Sequence, residues 1–250
     1  MDKALYVSMT GASQNMLAQK AHANNLANVN TTGFKADMAQ ARAMPVFGEH
    51  FPTRAYAMTE RPATDFEQGN MIDTGRELDL AVAGPGWIAV QADDGSEAMT
   101  RAGELNIDAN GMLRTGAGLP VLGNGGPVAL PPSAKVEIGA DGTISIVPLG
   151  AAPNELVEVD RIKLVNPPFD QLQKGTDGLI RRRAEFDDGL PLPADGNVRV
   201  ESGFLESSNV SAVDALTQIL SLSRQFEMQV KVMQSADQNS ETAARLLQIS

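Results

Sequence analysis

The sequence predicts an α+β protein: long N- and C-terminal helices pairing in a coiled-coil-like core, with an all-β central domain. Three observations lead there. Apolar residues recur at seven-residue intervals at both ends of the chain. The middle is punctuated by Asp94-Gly95, Asn110-Gly111, Asp141-Gly142 and Asp195-Gly196, the dipeptides that turn one strand into the next. Charge follows the same division, with a net of +1 over residues 1–60, −10 over 61–205 and −2 over 206–250.

The first element is an N-terminal helix and turn over residues 1–35. Leu5, Ala12, Gln19 and Leu26 form one heptad row, and Met9, Met16, Ala23 and Asn30 a second. The pattern ends in a run holding Asn24, Asn25, Asn28, two threonines and Gly33, residue types that favour caps and turns. Residues 36–77 carry Pro45, Pro52 and Pro62 with weak periodicity, and read as an extended linker arm. Residues 78–205 read as an acidic β domain. Lys135–Gly139 and Thr143–Val147 flank Asp141-Gly142 as the arms of a hairpin, and Leu156–Val165 reads as one further strand.

Residues 206–250 read as a C-terminal helix. Ser211 and Asp214 have the spacing of a capping box, and neither Gly nor Pro occurs after Gly203. Ile219, Phe226, Met233, Ser240 and Leu247 form one heptad row, and Leu216, Ser223, Val230, Asp237 and Ala244 the other. Gln229 falls outside both rows. A long helix with no partner gains little in water. These two ends are therefore expected to pair with each other or with copies from neighbouring chains. The candidate assembly interface comprises Leu5, Met9, Met16, Asn24, Asn25, Leu26 and Asn28 at one end, and Leu216, Ile219, Phe226, Val230, Met233 and Leu247 at the other.

Composition narrows the function. The 250 residues include no cysteine and two histidines, and the formal net charge is −11. Thiolate chemistry and Cys-based metal sites are excluded, and so acidic a chain is a poor nucleic-acid binder. Gly84-Pro85-Gly86-Trp87-Ile88-Ala89 has the form of a dinucleotide fingerprint, but the residues after it continue as strand where the fingerprint needs a helix. Asn106–Gly111 matches half of a calcium loop, yet a strand ending in an Asn-Gly turn explains it more simply. Arg181–Arg183 reads as a solvated strand or loop, and Asp93-Asp94 and Asp187-Asp188 read as turn residues. Neither catalysis, a cofactor nor a metal is expected. No apolar run reaches the length of a membrane span, and the Met-Asp-Lys start lacks the features of a cleaved secretory signal.

Three stretches resemble a known family. Ala23–Lys35 (ANNLANVNTTGFK) is similar to the N-terminal signature of flagellar rod and hook proteins. Leu78–Thr115 is similar to their central β signature, and Gly203–Val213 (GFLESSNVSAV) to the entry of their C-terminal helix. Within that family the likeness is closest to the proximal rod branch, through Gly86–Val90, Gly123–Pro127 and Arg224–Lys231. Val29 and Met99 depart from the usual Ala and aromatic residue.

The resemblance implies a structural subunit of the flagellar basal body, exported by the flagellar type III apparatus without a cleaved signal peptide. It implies polymerisation in the periplasm with other rod proteins and with copies of itself. Such a tube transmits torque and passes later export substrates. A distal rod or hook-type subunit is the alternative within the family, and a secreted β-rich binding module the alternative outside it.

Overall fold

The computed structural model describes residues 2–38, 41–45, 55–59, 63–150 and 155–248. The chain forms two compact units, one from residues 1–29, 36–65 and 210–250, the other from 30–35 and 66–209. The architecture is α+β, with two α-helices, one at each end, and a mostly β centre.

In the first unit, helix α1 spans Asp2–Ala27 and helix α2 spans Ala212–Gln248. The Asp214 N–H donates to Ser211 Oγ at 3.3 Å, so Ser211 caps α2 as its spacing suggested. Asp214 in the first turn and Arg245 in the last both complement the helix dipole. The two helices pack against each other.

The stretch expected as an extended arm contains paired strands. Ala41–Pro45 and Ala55–Thr59 make an antiparallel ribbon with Met44 opposite Tyr56, and Asp37–Met38 pairs with Ala63–Thr64. These pairs belong to the helical unit, whereas Met71–Asp73 pairs with Phe204–Glu206 in the β-rich unit. Residues 39–40, 46–54 and 60–62, Pro52 and Pro62 among them, lie outside the described residues.

The β-rich unit is organised around a five-stranded antiparallel sheet. Its spatial order is Leu164–Val165, Trp87–Gln91, Glu97–Thr100, Ile180–Arg182, Leu172–Lys174. A three-stranded sheet is built from Ser133–Ile138, Thr143–Pro148 and Val157–Arg161. Leu80–Ala83 pairs with Arg199–Ser202, and Leu105–Ile107 with Leu113–Thr115. The strand Trp87–Gln91 is buried on both faces. Ile88 and Val90 join the main core with Leu80, Leu105, Leu113 and Ile144. Trp87 turns the other way, into a smaller cluster with Met99, Val165, Leu172 and Ile180. This double burial explains a run of apolar residues without polar alternation.

Three of the four turn dipeptides join paired strands, with Gly95, Gly111 and Gly142 at φ of 82°, 81° and 84°, a region that glycine enters without strain. Asp195-Gly196 precedes Arg199–Ser202, whose partner is the distant Leu80–Ala83, so it makes no hairpin. Gly84-Pro85-Gly86 bends the chain between two strands, with no helix following.

The single strand expected over Leu156–Val165 is two. The chain changes sheets at Ile162–Lys163, where the Ile162 N–H donates to Gly142 O and the Lys163 N–H to Leu122 O, both at 2.8 Å. Ile162 is buried there, which fixes the crossing point.

Candidate assembly interface

The helical unit turns a small, partly polar stripe of α1 toward α2. On α1, Ala12 is buried, while Leu5, Ser8, Gly11, Asn15, Gln19, His22 and Leu26 are half-buried. On α2 the half-buried positions step by three and four through Ile219, Leu222, Phe226, Gln229, Met233, Ala236 and Ser240. Gly11 and Asn15 meet Gln229. A Cβ on Gly11 would lie 2.7 Å from Gln229 Nε2, and Asn15 Nδ2 donates to Gln229 Oε1 at 3.4 Å.

Of the heptad rows, Leu5, Ala12, Gln19 and Leu26 on α1 and Ile219, Phe226 and Met233 on α2 are buried or half-buried. The second rows differ. Met9 and Met16 point outward, and Leu216 is 48% exposed while its neighbour Ala215 is buried. The inner row of α2 is Ala215, Leu222, Gln229 and Ala236, one residue earlier than the row through Leu216 and Val230. Gln229 thus lies in the helix contact. Val230 is half-buried beside it, and the Leu247 side chain lies outside the described residues.

Large apolar side chains stand exposed among polar ones on both helices. On α1, Tyr6, Met9, Met16 and Leu17 are all more than half exposed, Met16 at 59%. On α2 the exposed set is Val213, Leu216, Leu220, Met228 and Val232, with Leu220 at 61%. Exposed apolar side chains that a partner can cover together are the usual mark of an interaction site.

The asparagines at the end of α1 are engaged inside the chain. Asn25 is buried; its Nδ2 donates to Asp37 O at 2.8 Å while its Oδ1 accepts from the Asp37 N–H at 2.9 Å. Asn24 Nδ2 donates to Asp37 Oδ2 at 3.2 Å, and Asn28 Nδ2 to Asn24 O at 2.9 Å. Asn25 therefore supplies to the Asp37 backbone the two bonds a neighbouring strand would supply.

A charged centre that the sequence reading missed lies in the β-rich unit. Lys35 Nζ is 2.6 Å from Glu206 Oε1, and Arg101 Nη1 is 2.8 Å from Glu206 Oε2. The Glu206 side chain is fully buried, and those of Lys35 and Arg101 nearly so. Lys35 also donates to Glu67 O at 2.6 Å, Arg101 Nη2 to Gly84 O at 2.7 Å, and the Gly69 N–H to Glu206 Oε1 at 3.1 Å. The Arg101 guanidinium stacks 5.1 Å from the Trp87 ring centre. Burial pulls Arg101 below the ordinary guanidinium range, and the Glu206 carboxylate opposes that shift. Removing Glu206, the partner both cations share, costs about 3–5 kcal/mol. The one signal available in sequence was that Lys35 and Glu206 both lie within the family signatures.

Turn and loop charges are satisfied locally. The Asp108 carboxylate accepts from the Asn110 N–H, the Met112 N–H and Arg114 Nε, which closes the Asn110-Gly111 hairpin. Arg181 pairs with Asp177 at 2.7 Å, Arg182 with Asp188 at 2.7 Å, and Arg183 Nε donates to Leu172 O at 3.0 Å. Among the described residues no group of three or more His, Asp or Glu could hold a metal ion. Among the described residues no helix is long and apolar enough to cross a membrane.

Comparison with known proteins gives this arrangement its class. The family model for the flagellar basal body rod protein matches residues 5–35. The D1 domain of the flagellar hook protein FlgE/F/G matches residues 81–146, and the C-terminal region of the basal body rod FlgEFG proteins matches 201–246. The chain belongs to the family of flagellar basal-body rod proteins, and is a structural subunit of that kind. Its likeness within the family is to FlgF. It is 44% identical to the flagellar basal-body rod protein FlgF of Escherichia coli K12, over the whole of both chains. Identity is 35% to FlgF of Caulobacter vibrioides, over 99% of this chain and 98% of the other, and 30% to FlgG of Bacillus subtilis, over 95% and 96%.

Proposed function

We propose that this chain builds the proximal rod of the flagellar basal body, polymerising through the outward faces of its two helices. The observation that carries the reading is the apolar surface of Met9, Met16, Leu17, Leu220, Met228 and Val232, which lies away from the α1–α2 contact within the chain. A subunit with such a surface on both terminal helices gains most where neighbouring copies or related rod proteins cover it. The helix pair then acts as a coiled-coil-like core element, and the acidic β-rich unit faces water. Head-to-tail contacts that do not close on themselves generate a helical tube. That tube carries torque toward the distal rod and hook and leaves a channel for later export substrates. The subunit reaches the periplasm through the flagellar export apparatus.

No catalytic role belongs to this reading; the buried Lys35, Arg101 and Glu206 hold one another and nearby backbone. Labelling a tagged chain on isolated basal bodies tests the location. Label on the rod segment next to the inner-membrane ring supports the proposal, and label beyond that segment favours the distal-rod alternative.

A further inference from the structure

Three segments far apart in sequence converge on Glu206. The Gly33 N–H donates to Glu206 O at 2.8 Å, the Gly69 N–H to its Oε1 at 3.1 Å, and Lys35 and Arg101 hold its two oxygens. Around them the Ser207 N–H donates to Asn70 O at 2.8 Å and the Asn209 N–H to Phe34 O at 3.3 Å. The approach is close enough to require glycine twice. A Cβ on Gly33, whose φ is 67°, would lie 2.2 Å from the Arg101 carbonyl carbon, and one on Gly69 would lie 2.1 Å from Ser207 O.

We propose that Glu206 is the positioning residue that anchors both terminal arms, residues 30–35 leaving α1 and residues 206–209 leading into α2, on the β-rich unit. The charge count makes the three residues unequal. Glu206 pairs with both buried cations, so losing Lys35 leaves the Arg101–Glu206 pair in place, whereas losing Glu206 takes the same carboxylate from Lys35 and Arg101 at once. Glu206→Gln should therefore be far more damaging than Lys35→Met. Adding Lys35→Met to Glu206→Gln should restore part of what the single change loses, as two residues coupled through one network do. The consequence for motility rests on the assembly reading above; the solution measurement does not.

The test is hydrogen exchange on the purified full-length chain, paired with a swimming assay. Glu206→Gln is expected to speed exchange at the Gly33, Gly69 and Ser207 amides at least tenfold while strand Trp87–Gln91 keeps its protection. Lys35→Met should change the three amides less than threefold, and the double variant should fall between the single ones. Cells carrying Glu206→Gln should fail to swim. Unchanged exchange at the three amides in Glu206→Gln overturns the proposal, and so does loss of protection throughout Trp87–Gln91, which would make Glu206 a general support of the fold. Faster exchange confined to the three amides in cells that still swim upholds the anchor and counts against the assembly reading.

Discussion

Leu220→Glu separates assembly from folding. Leu220 lies on the outward face of α2 and is 61% exposed, so the substitution touches little within the chain. Full burial of a leucine contributes about 1.5–3 kcal/mol, which leaves about 1–2 kcal/mol to be gained when a neighbouring subunit covers the exposed part. A glutamate forfeits that gain and adds the cost of enclosing an unpaired carboxylate, together about 3 kcal/mol or more at each contact. At about 1.4 kcal/mol per factor of ten, subunit addition weakens at least a hundredfold, and the defect repeats in every copy. The purified variant should keep its helical circular dichroism and melt within about 2 °C of the unaltered chain, because an exposed substitution stays within about 0.5 kcal/mol. Basal bodies viewed by electron microscopy should lack rods, and cells should not spread in soft agar. Leu220→Met, which preserves the apolar contact, should assemble. Normal rods and swimming with Leu220→Glu would refute the reasoning. A monomer that loses its helices would show instead that Leu220 supports the chain's own fold.

Further expectations follow from the same structure. Phe226→Glu places a carboxylate in the half-buried row facing α1, so it should destabilise the helix pair in the isolated chain by roughly 3 kcal/mol, read as faster exchange in α1 and α2 with the β-rich unit unchanged. Gln229→Leu removes the acceptor for Asn15 and should loosen the same contact by about 1 kcal/mol, measurable by urea titration of the helical signal. Acid should destabilise the β-rich unit. The Asp177 carboxyl lies below the ordinary aspartate range, chiefly through its hydrogen bond from Arg181, and that of Asp108 chiefly through its bond from Arg114. Because these folded-state values are depressed, their stabilisation is present above the unfolded aspartate range and is lost as pH falls through the folded value. The melting temperature should stay level from pH 8 to 5 and drop below about pH 4, and Asp177→Asn should reduce that drop.

Much of the fold was legible because its signals are local. Asp94-Gly95, Asn110-Gly111 and Asp141-Gly142 each specify a turn from two adjacent residues, and each joins paired strands. Ser211 announced the start of α2, and the Ile219–Phe226–Met233 row was readable because large apolar residues recur on one side. The row through Leu216, Ser223 and Val230 is exposed at Leu216 and half-buried at the other two, while Gln229, outside both rows, meets Gly11 and Asn15. A helix whose half-buried side includes Gln229 and Ser240 while Leu216 and Leu220 stand exposed gives hydrophobic periodicity no single face to find. Asp195-Gly196 shows the limit from the other side, since its strand finds a partner more than a hundred residues away. The Lys35–Arg101–Glu206 centre left no local trace. Its partners are separated by 105 and 171 positions, and each alone reads as an ordinary surface charge.

The central claim is that the outward faces of α1 and α2 are covered by neighbouring subunits in the rod. A photoreactive amino acid at Met16 or Leu220, activated in isolated basal bodies, measures this directly. The account predicts cross-links from both positions to another rod subunit, and none from a control at the half-buried inner position Ala236. Intact rods in which Met16 and Leu220 give no intersubunit cross-link would contradict it.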